Sequence, residues 1–383
     1  MLQKEPELEE HLDVTRDNPY YQVIIVGGGP AGIATSITLS SIGVSNCIIE
    51  ATTEPTRKCG EAIPPNVKPI LKQLGILQLV AHPRHIAYYG NKVCWGSEDL
   101  KQKEFIQGIH GHGYLLDRLY FEKQLRKRVK SNGTAFYEGY KLNTVSRSSS
   151  AVEVAISSPQ KEIVIDGSYI VDATGRKASV CRKLGVFKTD ADLQFAITFS
   201  MKTTSVARQE IMVETTKNGW WYIAPDGKDR YTLMFFTNKE RIPKKEKLEM
   251  FLKKELLCLK HVSKTINPIS CNYEKIKIIP AGTSCLDIPY GDRWIAVGDA
   301  AYTYDPVSSY GITSALASGF YAGKALGSHF LGKEDAMSVY RYVLENAFQS
   351  YMERLITHYS TETKWKESIY WKNRFLNIPH KTI

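Results

Sequence analysis

The residues able to do chemistry gather in three short stretches. In VGGGPAG (26–32), Gly27, Gly29 and Gly32 fall in GxGxxG register, with Ala31 between the last two. Glycines at that spacing allow a tight turn, close approach of a diphosphate to the backbone, and close packing of helix on strand. Glu50 follows 23 residues after Gly27 and is suited to accept ribose hydroxyls. YIVDATGR (169–176) ends an apolar run in Ala173-Thr174-Gly175. WIAVGDAAYTYDPVSSYGI (294–312) ends another in Gly298-Asp299. It then passes Pro306, Ser308 and Ser309 to reach Gly311 and Ile312.

A glycine turn opening a helix aims partial positive charge at a phosphate, which serves NAD and FAD alike. The two later stretches favour FAD. An aspartate at a strand end is a suitable acceptor for a ribityl hydroxyl. A helix starting near Ser309 would turn its amides toward the flavin N1–C2=O edge, where negative charge collects on reduction. The loop is then built to approach a flat ring.

Positioning these stretches takes an α/β fold. QVIIV (22–26) is the continuous apolar run of a parallel strand covered on both faces. PAGIATSITLSSIG (30–43) reads as a helix and NCIIE (46–50) as the next strand. DRLYFEKQLRKRVKSNG (117–133) reads as an amphipathic helix with a glycine stop. From about 190 to 240, QFAITFSMKTT, EIMVETT, GWWYIAP and RYTLMFF alternate as antiparallel strands do. A lysine-rich helix spans 244–260, and residues 310–330 and 334–378 are helical in pattern. The glycine turn lies near one end of the chain and its partner strand near the other, so the domains interleave. The expected division is an acidic N-terminal tail (1–19), a discontinuous FAD domain (20–85, 108–185 and 275–333), a substrate domain (86–107 and 186–274) and a C-terminal helical segment (334–383).

Composition narrows the classes. The 383 residues are 43% hydrophobic, and no run of apolar residues is long enough to span a membrane. The first 20 residues hold six acids against two bases, a net −4, so the remainder carries +14 of the total +10. The basic residues are scattered apart from RIPKKEK (241–247) and RKRVK (126–130), and no nucleic-acid motif surrounds them. The seven cysteines form no CxxC pair and no metal-ligand spacing, so no metal is expected. With no apolar leader pattern in the first residues, reduced thiols and a cytoplasmic location are the expectation.

The set GGGPAG…E, DATG and GDAA…DPVSSYG, in that order, resembles the FAD-dependent monooxygenase superfamily. That superfamily includes aromatic hydroxylases, geranylgeranyl reductases and tryptophan-halogenase-like flavoproteins. The resemblance implies a glutathione-reductase-type Rossmann FAD domain interleaved with an antiparallel-sheet substrate domain. It implies that Arg118, in LLDRLYFEKQL, contacts FAD. RKCGEAIPP (57–65) is similar to a loop beside the flavin in the reductases and halogenases, which brings Glu61 toward the active site. Cys59 there is a packed small residue in this reading. NGWWYIAP (218–225) stands in the place of a halogenase WxWxIP element but departs from it. The segment between Gly75 and Arg118 is short for the one that carries a halogenase lysine, and Lys92 is the nearby candidate.

VETTKNGWWYIAP, YDPVSSYGI and the aromatic tail HYSTETKWKESIYWKNR (358–374) are most similar to flavoproteins that mature tryptophylquinone cofactors of lysine ε-oxidase and glycine oxidase. This resemblance implies a monooxygenase that hydroxylates a peptidyl tryptophan of a partner precursor protein. Pro306, Ser308 and Ser309 would then shape the floor under the flavin, and Trp220 with Tyr222 an aromatic wall. Trp220 and Trp221 are adjacent, so a strand would turn only one of them to the pocket. Ala-Thr-Gly stands where the resemblance places a signature tied to NAD(P)H use, which counts against direct nicotinamide binding; an external reductant, NAD(P)H or a separate reductase, is the expectation. The alternatives are a flavin-dependent halogenase, a prenyl-chain reductase, and a non-enzymatic flavin-containing assembly factor.

Overall fold

The computed structural model describes residues 18–56, 58, 60–105, 108–202, 209–226, 229–262 and 271–376. The acidic tail through residue 17 and Cys59 lie outside the described residues. The α/β architecture expected from the sequence is present.

One sheet holds the strands in the order Tyr290–Gly291, Trp294–Ala296, Glu162–Asp172, Tyr20–Val26, Asn46–Glu50 and Ala135–Glu138. The last five run parallel. Val23, Ile24, Ile25, Ile48, Ile170 and Val171 are wholly buried, as strands covered on both faces require. Parallel alignment brings Val26, Glu50, Asp172 and Ala296 to the same sheet edge. The ladder continues past those ends through Gly27 N–H to Ile49 C=O (2.8 Å), Ala173 N–H to Val26 C=O (2.8 Å) and Val297 N–H to Asp172 C=O (2.9 Å).

Two small-residue helices, Pro30–Ser41 and Gly311–Phe330, pack on one another. A Cβ at Gly319 would fall 2.2 Å from Ala31 O, and one at Gly323 would fall 2.6 Å from Thr38 Cβ. Backbones this close explain why both helices are built from Ala, Gly, Ser and Thr. Asp117 caps the helix Arg118–Ser131 by accepting from Tyr120 N–H.

The second sheet has seven strands, ordered Cys271–Pro280, Gln194–Lys202, Arg230–Asn238, Gly219–Pro225, Ile211–Thr216, Gly90–Cys94 and Lys101–Glu104. Its pairs are antiparallel except Ile211–Thr216 with Gly90–Cys94, which is parallel. The boundary expected at 275 falls inside the strand Cys271–Pro280, whose Ile279 pairs with Ala196 of this sheet. One face packs on the helix Lys245–Leu257 through Trp221, Phe199, Leu248 and Leu252. The other face carries Trp220, Tyr222, Met234 and Phe236.

The pattern over 334–378 breaks into two helices, Ala336–Ser360 and Ile369–Leu376. The break follows from Glu362, which is wholly buried. Its carboxylate accepts from Gly96 N–H (2.9 Å), Thr215 O–H (2.6 Å) and Lys364 N–H (3.0 Å), and a continuing helix would not deliver it there.

Candidate functional site: one cavity across both sheets

A cavity of about 870 Å³ runs from the glycine turn to the second sheet. Among the expected cofactor residues, Gly27, Gly29, Ala31, Glu50, Arg118, Thr174, Asp299, Gly311 and Ile312 line it. Gly27 has φ +115°, and a Cβ there would stand 2.2 Å from Ala173 O. Gly29 meets nothing within 4 Å where its Cβ would be, so its missing side chain leaves room for a ligand beside the helix N-terminus. Gly32 lies behind the wall, where a Cβ would sit 2.0 Å from Gly27 O; its role is helix–strand packing. Gly298 is also behind the wall, and its φ of +56° brings it against Ala31, with a Cβ 2.9 Å from Ala31 Cβ. The two distant glycine motifs therefore touch.

Glu50 is oriented before any ligand arrives. Its Oε2 accepts from Gly28 N–H (2.8 Å), and its Oε1 accepts from Thr52 N–H (3.0 Å) and Thr52 O–H (2.8 Å). Thr174 contributes backbone rather than hydroxyl: its O–H donates to Asp172 Oδ1 (2.6 Å) and its oxygen accepts from Ser179 N–H (2.6 Å). Arg118 donates to Gly60 C=O (2.8 Å) and Glu122 Oε1 (2.6 Å), while its Nε is buried without a partner. An unpaired buried donor on a cavity wall is costly unless a ligand or water takes it. Asp299 faces Arg176 Nε at 3.5 Å, and Lys188 donates to the Asp299 carbonyl (2.6 Å). Burial holds the Lys188 ammonium down at about 8.

Arg176 was not foreseen, and neither were Lys58, Lys141, Lys177 and Lys183. With Arg118 they give this wall six basic side chains against two acids, Glu50 and Asp299. That balance suits a diphosphate and accounts for part of the positive charge of the chain. Arg176 directly follows the DATG turn, the signal that could have found it.

The far wall is apolar: Ala196, Tyr222, Met234, Phe236, Ala281 and Tyr304. Tyr222 lines it. Trp220 does not. It is wholly buried, its ring stacks on Phe236 at 3.8 Å, and its Nε1–H donates to Tyr359 OH (3.1 Å). Phe236 presents the aromatic surface to the cavity in its place. Trp371, another tail aromatic, is also in the core, donating to Thr216 C=O (2.9 Å).

Pro306 and Ser309 line the cavity, and Ser309 holds a left-handed φ of +53°. Ser308 is turned into its own loop, where its hydroxyl donates to Asp305 C=O (2.7 Å) and accepts from Tyr310 N–H (3.2 Å). Glu61 lies just behind the wall formed by Gly60 and Ala62. It is 6% exposed and its Oε2 accepts from Gly60 N–H (3.1 Å). Burial, reinforced by Asp226, raises its carboxyl to about 7 against the pull of its own backbone N–H and of Arg118. Lys92 is spent on Glu210 (2.6 Å) and is not on this wall.

The sequence of residues 20–348 matches the FAD binding domain family. The chain belongs to that family. It is 26% identical to the FAD-dependent oxidoreductase LodB of Marinomonas mediterranea over 364 residues, covering 92% of this chain and 96% of LodB. The myxobacterial chondrochloren halogenase CndH has a similar fold, with TM-score 0.85 at 19% identity over 95% of this chain and 87% of that one. So does QhpG, a peptidyl tryptophan dihydroxylase essential for tryptophylquinone cofactor biogenesis, with TM-score 0.75 at 20% identity over 93% and 78%. The chain is a LodB homologue and an FAD-dependent oxidoreductase. Among the described residues, no helix is long and apolar enough to cross a membrane, and no cluster of His, Cys, Asp or Glu forms a metal site.

Proposed function

We propose that this flavoprotein hydroxylates a tryptophan side chain of a partner precursor protein during tryptophylquinone formation. The observation that carries the reading is the continuity of the cavity, which runs from the glycine turn and Asp299 to an aromatic wall of Tyr222, Phe236 and Tyr304. A ring bound at the first end would meet a flat, electron-rich side chain at the second. The relationship to LodB and the fold shared with QhpG support the same reading.

The residues present fit FAD. Backbone amides at Gly29 and Ala31 would take the diphosphate, Glu50 the ribose, and Asp299 the ribityl chain. The N-terminus of the helix Gly311–Phe330, at Gly311 and Ile312, would face the flavin carbonyl edge. The Arg118 side chain on the cavity wall would add positive charge beside the cofactor. Bound and reduced, FAD supplies the activation of oxygen. The chain then has three tasks. Its apolar wall keeps water from the reacting atoms, and its aromatic faces orient the indole. Glu61, with a carboxyl poised near neutrality, holds a proton next to the cavity. Pro306 and Ser309 form the floor, while Ser308 stiffens it from within.

Halogenation is the weaker reading, because the nearby lysine is paired elsewhere and off the cavity wall. The proposed division into FAD and substrate domains ends the substrate segment with the strand Cys271–Pro280, and leaves Ile86–Tyr88, paired with Gly113–Leu115, on the FAD side. Reduction by NAD(P)H or a separate reductase, and a cytoplasmic location with reduced thiols, complete the proposal. Oxygen uptake by the reduced holoenzyme tests it. Uptake that is accelerated by the precursor protein, and is unchanged when the target tryptophan is replaced, would refute the assignment.

A further inference from the structure

A buried charge at the end of the aromatic tail lies next to the floor of the cavity. Arg374, on the helix Ile369–Leu376, is 5% exposed. Its Nη1 meets Asp192 Oδ1 at 2.8 Å. Its Nη2 donates to Gln194 Oε1 (3.0 Å), to Tyr359 OH (2.7 Å) and to the carboxylate of Asp305. The guanidinium also lies over the Tyr359 ring, 4.3 Å from its centre.

These partners belong to opposite sides of the cavity. Asp305 caps the turn Pro306–Ser308 by accepting from Val307 N–H (2.9 Å), and its own N–H donates to Tyr351 OH (2.6 Å). Pro306 and Ser309 are floor residues of that loop. Asp192 and Gln194 stand at the start of the strand Gln194–Lys202, and Ala196, two residues on, lies on the opposite, substrate-side wall. One planar fork therefore joins the cofactor loop to the substrate sheet. We propose that Arg374 is a positioning residue that sets the gap between them, and so the distance from the cofactor to the substrate.

The energetics favour a geometric role over a stabilising one. A buried ion pair gains little over a well-packed apolar pair once desolvation is counted. What arginine adds is direction, since its fixed fork can satisfy two carboxylates at set positions where a lysine is a single point charge. A misplacement of about 1 Å at a reacting centre can cost on the order of a hundredfold in rate.

The test compares two variants of the FAD-loaded protein. Arg374→Lys keeps the charge and loses the fork. Trp371→Phe, on the same helix, removes the hydrogen bond to Thr216 and touches neither Asp305 nor Asp192. The positioning role predicts that Arg374→Lys shifts the flavin midpoint potential. It also predicts a several-fold rise in the oxygen released as free peroxide per product formed, with kcat falling more than KM rises. Trp371→Phe lowers Tm and changes neither reading. Peroxide release that tracks Tm loss in both variants, or readings in Arg374→Lys equal to those of the parent, would overturn the role. If Arg374→Lys loses FAD on purification, Asp305→Asn carries the test with the same expected shifts, since it retains an acceptor for Val307. The peroxide ratio rests on the monooxygenase reading. The midpoint potential needs no substrate, so a protein that hydroxylates nothing would still decide the role of Arg374.

Discussion

Replacing Glu61 with glutamine removes one buried proton site and keeps the side-chain shape. Burial, with Asp226 adding to it, raises this carboxyl from 4.5 to about 7 in the folded chain. Folding thus raises the pKa, so between those two values the folded state binds more protons than the unfolded one. Stability must then fall as pH rises through that window and level off above it. A gap of about 2.5 units at about 1.36 kcal/mol each sets an upper figure of about 3 kcal/mol. Urea unfolding of both FAD-loaded proteins, from about pH 5 to about pH 8, measures the effect. Other groups titrate alike in the two chains and cancel in the difference. The advantage of Glu61→Gln over the parent should grow by about 2 to 3 kcal/mol as pH rises across the range. A difference that stays constant with pH would show that Glu61 is not a neutral buried acid, and its role as a proton holder would fall with it.

Gly29→Val fills the open space beside the helix N-terminus without straining the backbone; FAD affinity should drop roughly tenfold or more, about 1.4 kcal/mol, with Tm of the apoprotein unchanged, as read by flavin titration. Tyr222→Ala should raise KM for the protein substrate while leaving FAD content intact. Trp220→Phe, which loses the bond to Tyr359, should cost about 1 kcal/mol of stability and leave steady-state kinetics near those of the parent. Equal kinetic defects in the Tyr222 and Trp220 variants would place both at the pocket and contradict the wall described above.

Much of the cofactor end was legible because its signals are local. Continuous apolar runs named the parallel strands, glycine spacing named the turn, and Asp299 followed its strand directly. The Rossmann sheet then brought these segments together, since parallel strands share an edge. The substrate end was less legible. The pair at 220 and 221 announced a strand with opposite-facing rings, but period two alone does not say which face the tail covers. The helix Ile369–Leu376 and Tyr359 cover the Trp220 side, so Phe236, itself buried, is the ring that lines the cavity. Ser308 looked like a floor residue by its neighbours, yet the cap at Asp305 turned its hydroxyl inward. Arg374 and Asp305 are 69 residues apart, and no spacing rule links them; only the packed tail reveals the pair.

The central claim is that the cavity delivers oxygen to a tryptophan of another protein. Co-expression with a precursor protein, followed by intact mass of that precursor, tests it most directly. The account predicts a gain of one or two oxygen atoms, mapped by fragmentation to a tryptophan, whose yield falls with Gly29→Val. An unmodified precursor recovered beside fully FAD-loaded protein under air and reductant, or the same gain in the absence of FAD, would contradict it.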